Sequence, residues 1–459
     1  MTATPTDGLW APDRRALTTG LVLTITFIAS EALAVVTVMP LVARDLKGLS
    51  LYGWVFSAFM LASLVGIVFA GRDADRHGPA RPYVAGLVLF GAGLLVSGLA
   101  PDMAVLVVGR TLQGLGAGAV PAVAYVSIGR SLPESLRARM MAVLSTAWVV
   151  PGVVGPAVAA GVAHAFGWRW VFLGLLPLVA VTGPLALPAL IRLGPPGGEP
   201  ASEHNVLDGV RTAAGAGLLL AAIASRAVFL GVGLGVLGLL VGFPALRRLL
   251  PEGTLRAARG LPATILSRGI LTFAFFGADA YVTLTIATVR HHSTLLAGAV
   301  VTVSTLAWTA GAWAQARLNE RWEGMRLVRW GLLGILIGIA GMALQLREGI
   351  PVAEAFGAWI VGGFGMGLAY APTSLMMLRA APPGREGWAS ASLNLADVLG
   401  IALGVGLGGA AVAAVARGRH PISAGVAVAF GLATVAALVG LALSPRLPRT
   451  TEQESPVSP

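Results

Sequence analysis

Apolar stretches of about 20 residues recur from one end of this 459-residue chain to the other, each long enough to cross a hydrocarbon layer of about 30 Å as a helix. Polar, glycine and proline clusters separate them. Cutting there predicts six spans, near residues 17–43, 51–70, 83–100, 103–128, 140–163 and 170–191, and a second six near 263–289, 295–316, 327–346, 352–378, 389–416 and 422–443. Two shorter spans, 210–224 and 227–246, lie between the groups. The expected fold is an all-α integral membrane protein with two six-helix bundles, 17–191 and 263–443, and two additional transmembrane helices at 210–246. The remaining segments are an N-terminal segment 1–16, a linker 192–209 that carries Pro195, Pro196, Gly197 and Gly198, a basic connector 247–262, and a polar tail 444–459 expected to be disordered. Twelve helices is the alternative, because removing the middle pair leaves the orientation of everything downstream unchanged.

Composition agrees with the pattern. Hydrophobic residues make up 56% of the chain, charged residues 12%, and the mean hydropathy is +0.81, too apolar for a soluble core to hide. The net charge of +11 raises nucleic acid as a partner. The basic residues lie in short connectors, however, with no basic face or interleaved aromatics, so no nucleic-acid partner is expected. They act as topology signals instead. With a cytoplasmic N-terminus, 23 of the 32 Lys and Arg fall on the inside, 8 on the outside, and Arg110 within the membrane. This places both termini, the linker and the connector in the cytoplasm of a multi-pass cytoplasmic-membrane protein. The absence of cysteine excludes disulfides, thiol catalysis and cysteine-ligated metal. Arg14 and Arg15 before an apolar run, with Ala32-Leu33-Ala34 as a possible cleavage site, imitate a signal peptide. The run continues to Val42, which favours a first transmembrane helix.

The two groups of six echo each other. Gly71-Arg72-Asp73-Ala74-Asp75-Arg76 closes the second span, and Ala316-Arg317-Leu318-Asn319-Glu320-Arg321 closes its counterpart 245 residues later, counting from Gly71 to Ala316. Two pseudo-symmetric bundles with a site near mid-membrane form a transporter architecture. One chain supplies both, so a monomer suffices.

Charges inside the spans are the candidate chemistry, because intramembrane ionisable groups are costly and functional by default. Arg110 shares a face with Gly114 and Gly118 at a spacing of four, so it points toward a neighbouring helix. Glu31, in the first span, is its expected partner. Asp279 and Asp397 lie in spans of the second group, and a carboxyl in a low-dielectric cavity can load and release protons near neutral pH. Phe275, Phe276, Tyr281 and Trp308 lie close by in sequence and would suit a lipophilic cation. Each charge has a plainer reading as a satisfied packing group. Gly233-x-Gly235-x-x-Gly238 and Gly404-x-Gly406-x-x-Gly409 follow no strand and read as helix-packing glycines. His291-His292 has no supporting ligand nearby and reads as a solvated loop; no metal or other cofactor is expected.

Four stretches resemble the major facilitator superfamily. Gly71, Ala74, Asp75, Arg76 and Gly78 match its loop signature between helices two and three, with Asp73 in place of a leucine and Arg81 arriving late. Leu106, Arg110, Gln113, Gly114, Gly116 and Ala117 match its fourth-helix signature, and Pro151, Gly152, Gly155 and Pro156 its antiporter signature in the fifth helix. Glu31 through Pro40 looks like the first-helix pattern of drug/proton antiporters, with Glu for Asp. The resemblance, including the inserted helix pair, implies the fourteen-helix drug/proton antiporter branch: a proton-gradient-driven exporter working by alternating access on lipophilic, cationic small molecules. Together with the buried charges and neighbouring aromatics, it leads to an expectation of proton coupling by Glu31, Arg110, Asp279 and Asp397, and of a substrate cavity with Glu31, Gln113, Phe275, Phe276, Asp279 and Tyr281. It also implies a cytoplasmic latch at Gly71, Asp75, Arg76 and Gly78, echoed by Glu320 and Arg321, and a sliding helix at Pro151, Gly152, Gly155 and Pro156, with Trp148, Gly152, Pro156 and Ala160 on one face. Proton symport of a nutrient, or a sensor or scaffold that does not transport, are the alternatives. No H-E-x-x-H, cysteine or Ser/His pair lies inside the spans to support an enzyme.

Overall fold

The computed structural model describes residues 8–12, 14–47, 51–195, 206–225, 228–417 and 421–448. The start of the N-terminal segment, the middle of the linker and residues 449–459 of the expected disordered tail lie outside the described residues. All regular structure among the described residues is helical. In order the helices are α1 (Arg15–Asp45), α2 (Tyr52–His77), α3 (Ala80–Gly98), α4 (Met103–Ser131), α5 (Glu134–Thr146), α6 (Val149–Phe166), α7 (Arg169–Leu173) and α8 (Leu176–Leu193). They continue as α9 (Val206–Ala224), α10 (Val228–Leu249), α11 (Leu261–Leu284), α12 (Thr294–Leu318), α13 (Gly324–Leu344), α14 (Ala353–Ala380), α15 (Glu386–Arg417) and α16 (Ile422–Leu443). Among the described residues, 13 segments are long and apolar enough to cross a membrane. The fifth joins α5 to α6, and the sixth joins α7 to α8. α9, of 19 residues, stands outside that set.

α2 differs from the sequence-based expectation. It does not stop near Ala70 but continues to His77, so Gly71 through Arg76 are helical and only the stretch around Gly78 turns. Once a helix leaves the hydrocarbon, polar residues no longer argue against it; what ends α2 is Gly78, at φ +83°, a conformation glycine adopts without strain.

The chain forms two compact units. Unit 1 comprises residues up to Ala221, Val232–Leu249 and Ala381–Asn394. Unit 2 comprises Ala222–Gly231, Leu250–Ala380 and the chain from Leu395 onward. In unit 1, α4 packs closely between α2 and α3. The seam is backbone against backbone: a Cβ on Gly114 would strike the Phe59 carbonyl, one on Gly118 the Ser63 carbonyl, and one on Gly116 the Gly86 carbonyl. α1 packs on α6 and α8. α9 and α10 approach through Gly215, Gly238 and Gly242, and α9 rests on α2 where Gly209 faces Val68.

Unit 2 repeats this seam. A Cβ on Gly363 would strike the Ser304 carbonyl, one on Gly367 the Trp308 carbonyl, and one on Gly365 the Gly331 carbonyl. Phe59, Ser63 and Gly86 map onto Ser304, Trp308 and Gly331 at an offset of 245, while Gly114, Gly116 and Gly118 map onto Gly363, Gly365 and Gly367 at an offset of 249. Small residues of this kind let transmembrane helices approach closely. Pro121 in α4 and Pro372 in α14 are tolerated because neighbouring helices can satisfy the freed backbone groups.

Candidate functional site

The α2–α4 seam positions the charged centre of unit 1. Because Gly114 and Gly118 admit α2 so closely, the Val55 carbonyl and the Phe59 ring come up beside Arg110, one turn before the seam. The Arg110 Nη1 donates to Glu31 Oε1 of α1 and, at 2.8 Å, to Gln113 Oε1. Its Nε donates to the Val55 carbonyl at 3.3 Å, and the guanidinium lies 4.3 Å from the centre of the Phe59 ring. Glu31 and Gln113 are fully buried and Arg110 is 3% exposed. Glu31 Oε2 and Gln113 Nε2 are buried with no hydrogen-bond partner. The pair expected from the sequence is thus in direct contact, and one carboxylate oxygen remains unsatisfied.

Asp279, on α11, lies within unit 2 and accepts a hydrogen bond from the Trp359 indole of α14 at 2.8 Å. Trp359 stacks on Phe275, with ring centres 5.4 Å apart and planes at 8°. Phe276 and Trp308 meet Phe275 edge-on at 5.3 and 5.6 Å, and Tyr370 meets Trp308 at 5.3 Å. These rings form one continuous wall. Tyr281 is directed elsewhere: its hydroxyl donates to the Val405 carbonyl of α15.

A second charged cluster stands at the other end of that wall. The Tyr370 hydroxyl donates to Asp397 Oδ2 at 2.8 Å. Arg268 of α11 lies 3.5 Å from the centre of the Tyr370 ring, bonds Ser374, and brings its Nη1 to 3.9 Å from Asp397 Oδ1. Arg268, 1% exposed, was missed by sequence reading. It lies only five residues inside the predicted span at 263–289, so it passes for a connector charge; burial makes it a second intramembrane arginine. Trp359 was missed as well, since a tryptophan in an apolar run carries no signal of its own.

The latch residues separate. Asp75, 3% exposed, accepts the backbone N–H groups of Gly387 and Trp388 at 2.7 and 2.8 Å. These are the second and third residues of α15, so the carboxylate caps a helix N-terminus, where both donors and the macrodipole favour an anion. Gly71 packs beneath it against Ala391 and the Gly387 carbonyl. Asp73, the departure from the family pattern, bonds His77 at 2.9 Å and lies 3.4 Å from Arg81. The echo does not extend this far: Glu320 and Arg321 are exposed in the turn after α12, and no side-chain bond engages either among the described residues.

The fifth span turns only part of its signature into unit 1. Trp148 is 43% exposed and Ala160 is exposed, while Pro151 and Ala159 are buried, with Gly152, Gly155 and Pro156 partly so. The face turned into unit 1 is therefore Pro151, Gly155 and Ala159, where Gly155 meets Leu33 of α1. Among the described residues, no three His, Cys, Asp or Glu come together as metal ligands.

Comparison with known proteins agrees with this architecture. A probable multidrug-efflux transporter of Mycobacterium tuberculosis (strain ATCC 25618 / H37Rv) is 28% identical over 445 residues, spanning 93% of this chain and 94% of that one. The multidrug transporter protein MdtP of Bacillus subtilis (strain 168) is 34% identical over 165 residues, 36% of this chain and 30% of its own. The crystal structure of the human organic anion transporter MFSD10 superposes with a TM-score of 0.71 at 14% identity, covering 94% of this chain and 99% of that one, a likeness of fold. The family model described as Major Facilitator Superfamily matches residues 18–347. A helical membrane protein with a repeated bundle seam and charges buried in its spans, this chain belongs to the Major Facilitator Superfamily, a family of transporters rather than enzymes.

Proposed function

We propose that this protein is a proton-coupled antiporter that exports lipophilic, cationic small molecules across the cytoplasmic membrane by alternating access, as a monomer with both termini in the cytoplasm. The observation that carries the reading is the buried Glu31–Arg110 pair. Removing one partner of such a pair leaves an uncompensated charge in a low-dielectric interior, a strong penalty. Protonation of Glu31 does this reversibly, because the guanidinium keeps its charge at any working pH. A proton at Glu31 therefore favours whatever arrangement gives Arg110 other partners, and Gln113, the Val55 carbonyl and Phe59 are already beside it. Asp279 and Asp397 are the further proton-coupling carboxylates, and the Phe275, Phe276 and Trp308 rings supply a surface for an organic cation. The multidrug-efflux names of the relatives support the substrate class. Each proton entering down 100 mV supplies about 2.3 kcal/mol, besides the pH term, enough to accumulate a solute against a gradient.

The test uses purified protein in liposomes with an imposed pH gradient, wild type beside Glu31→Gln. A lipophilic cation is expected to trigger proton efflux down the gradient in the wild type and none in the variant. Flux surviving in Glu31→Gln moves coupling to Asp279 or Asp397. A solute carried only in the direction of the protons establishes symport, and no flux in folded, ligand-binding protein refutes the transport reading.

A further inference from the structure

The α9–α10 pair lies outside both groups of six, and the export reading gives it no work. One end of the pair closes on a charged cluster. Asp208, in the first turn of α9, accepts Arg211 Nη1 of its own helix at 3.4 Å and Arg248 Nη1, from the last turn of α10, at 3.2 Å. Both donors come to the same oxygen, Oδ1. The acid is buried, its side chain 10% exposed, whereas those of Arg211 and Arg248 are 46% and 62% exposed. A buried carboxylate thus anchors two guanidiniums that reach outward from it. The shared oxygen engages one of the five N–H donors that the Arg211 fork carries.

A third arginine, Arg247, is exposed, and no hydrogen bond or ion pair holds it among the described residues. Its register on α10 is informative. Val236, Leu240, Phe243 and Arg247 follow one another at spacings of four, three and four, so they form one stripe along the helix. The three apolar members are 52%, 68% and 50% exposed, and α10 is the least buried of the 13 spans. A stripe of that composition on a membrane span faces lipid. Arg247 stands at its foot, about 6 Å along the axis from Phe243. On α9, Leu207 and Val210 are exposed beside Arg211. The end of the pair therefore sets three arginines against one acid, directly below an apolar surface. A water-soluble anion would use the charges alone; an anionic amphiphile uses both.

We propose that this end of the α9–α10 pair binds an anionic phospholipid, its headgroup phosphate held by Arg211 and Arg247 and an acyl chain laid along Val236, Leu240 and Phe243. Arg248 adds positive charge beside them. The planar guanidinium fork matches phosphate oxygens, and basic pockets between transmembrane helices suit anionic headgroups. Asp208 is a positioning residue: it ties Arg211 to Arg248 where Gly215, Gly238 and Gly242 already bring the two helices close. The bound lipid fixes the depth of the pair in the bilayer. The orientation proposed above puts the site in the cytoplasmic leaflet; the binding itself does not depend on the export reading.

The experiment is lipid binding to purified full-length protein in a neutral detergent. Native mass spectrometry gives the affinity for dioleoylphosphatidylglycerol, and the melting temperature gives its effect on the fold. The wild type should hold phosphatidylglycerol at concentrations where dioleoylphosphatidylcholine has dissociated, and should melt higher with the former. An arginine near an anionic lipid is worth about fivefold in affinity. Arg211→Gln with Arg247→Gln should therefore weaken phosphatidylglycerol roughly 20- to 30-fold, with the wild-type melting temperature in phosphatidylcholine reporting an intact fold. Arg211→Lys with Arg247→Lys keeps the charges and should stay within about fivefold of wild type; a loss as large as the glutamine pair's overturns the inference. Arg256→Gln with Arg259→Gln removes the same charge from the exposed connector after α10 and should change nothing. Equal losses in the two glutamine pairs, or equal affinity for the two lipids, overturn the inference. sn-Glycerol 3-phosphate carries the phosphate without the chains and should not raise the melting temperature; if it matches the lipid, the site takes soluble phosphate and the lipid assignment falls. Failure of proton-driven transport in liposomes removes the export reading and leaves this site standing.

Discussion

Replacing Glu31 tests what the buried pair contributes. Glu31→Leu removes the carboxylate and strands a guanidinium whose side chain is 4% exposed, with only Gln113 Oε1, the Val55 carbonyl and the Phe59 ring left to it among the described residues. Breaking a buried pair this way costs about 3–5 kcal/mol. Glu31→Gln keeps a carbonyl acceptor for Nη1 and loses only the charge. A charge-assisted bond contributes about 1.5–3 kcal/mol against about 1 for a neutral one, so this loss should be about 0.5–2 kcal/mol. Glu31→Leu with Arg110→Met replaces the pair by apolar groups, a change that is often neutral or stabilising by about 1–4 kcal/mol. The expected order of stability is therefore double variant near or above wild type, then Glu31→Gln, then Glu31→Leu. Reversible unfolding in mixed micelles measures these proteins, and the single variant Arg110→Met closes the cycle that isolates the coupling. A Glu31→Leu loss below about 1 kcal/mol, or a double variant as unstable as the sum of its singles, would refute the electrostatic account. Transport by the stable double variant would refute the proposed role.

Gly367→Ala should destabilise unit 2 by about 1–3 kcal/mol, the usual range for overpacking, because the new Cβ meets the Trp308 carbonyl and lies 2.7 Å from the Ala312 nitrogen. Gly298→Ala, with nothing within 4 Å, should stay within about 0.5 kcal/mol, and equal melting temperatures for the two would count against the seam. Outside the membrane, the Trp168 indole bond first, then Arg169, holds the Asp45 carboxyl below its ordinary 3.8 despite an opposing effect of burial. A depressed folded-state value means stabilisation present above about pH 4 and lost as pH falls below it. Asp45→Asn should therefore flatten the acid limb of stability between about pH 5 and 3, and an unchanged limb would remove the bond from the account.

Most of the fold was legible because a bilayer enforces length and hydropathy on each span. The ends were less so: once α2 leaves hydrocarbon, Asp73, Asp75 and Arg76 read like loop residues although they stay helical. The Glu31–Arg110 pair was readable because a charge in an apolar run is conspicuous. Asp279 was readable as an acid, but its partner was not, for a specific reason. The loop echo sets an offset of 245, whereas 4 residues, 99–102, separate α3 from α4 and 8 residues, 345–352, separate α13 from α14. The extra turn's worth of chain shifts the fourth helices to an offset of 249. Only the carbonyls facing Gly114 and Gly363 restore the register.

The repeat also bears on why an arginine occupies position 110. Packing alone could hold a residue in place, and the glycines are held that way in both units, since a Cβ at any of the six would strike a backbone carbonyl. Position 110 lies one turn outside that constraint. Its counterpart, Trp359, occupies the same place before an equivalent seam with no charge at all, so close approach of the second and fourth helices does not require a guanidinium. What both residues do share is a donor aimed at a carboxylate on the first helix. The seam fixes the distance between helices, and the residue before it sets the charge presented to the acid. The two arrangements share their geometry and differ in the charge of the donor that faces the acid, a guanidinium for Glu31 and a neutral indole for Asp279.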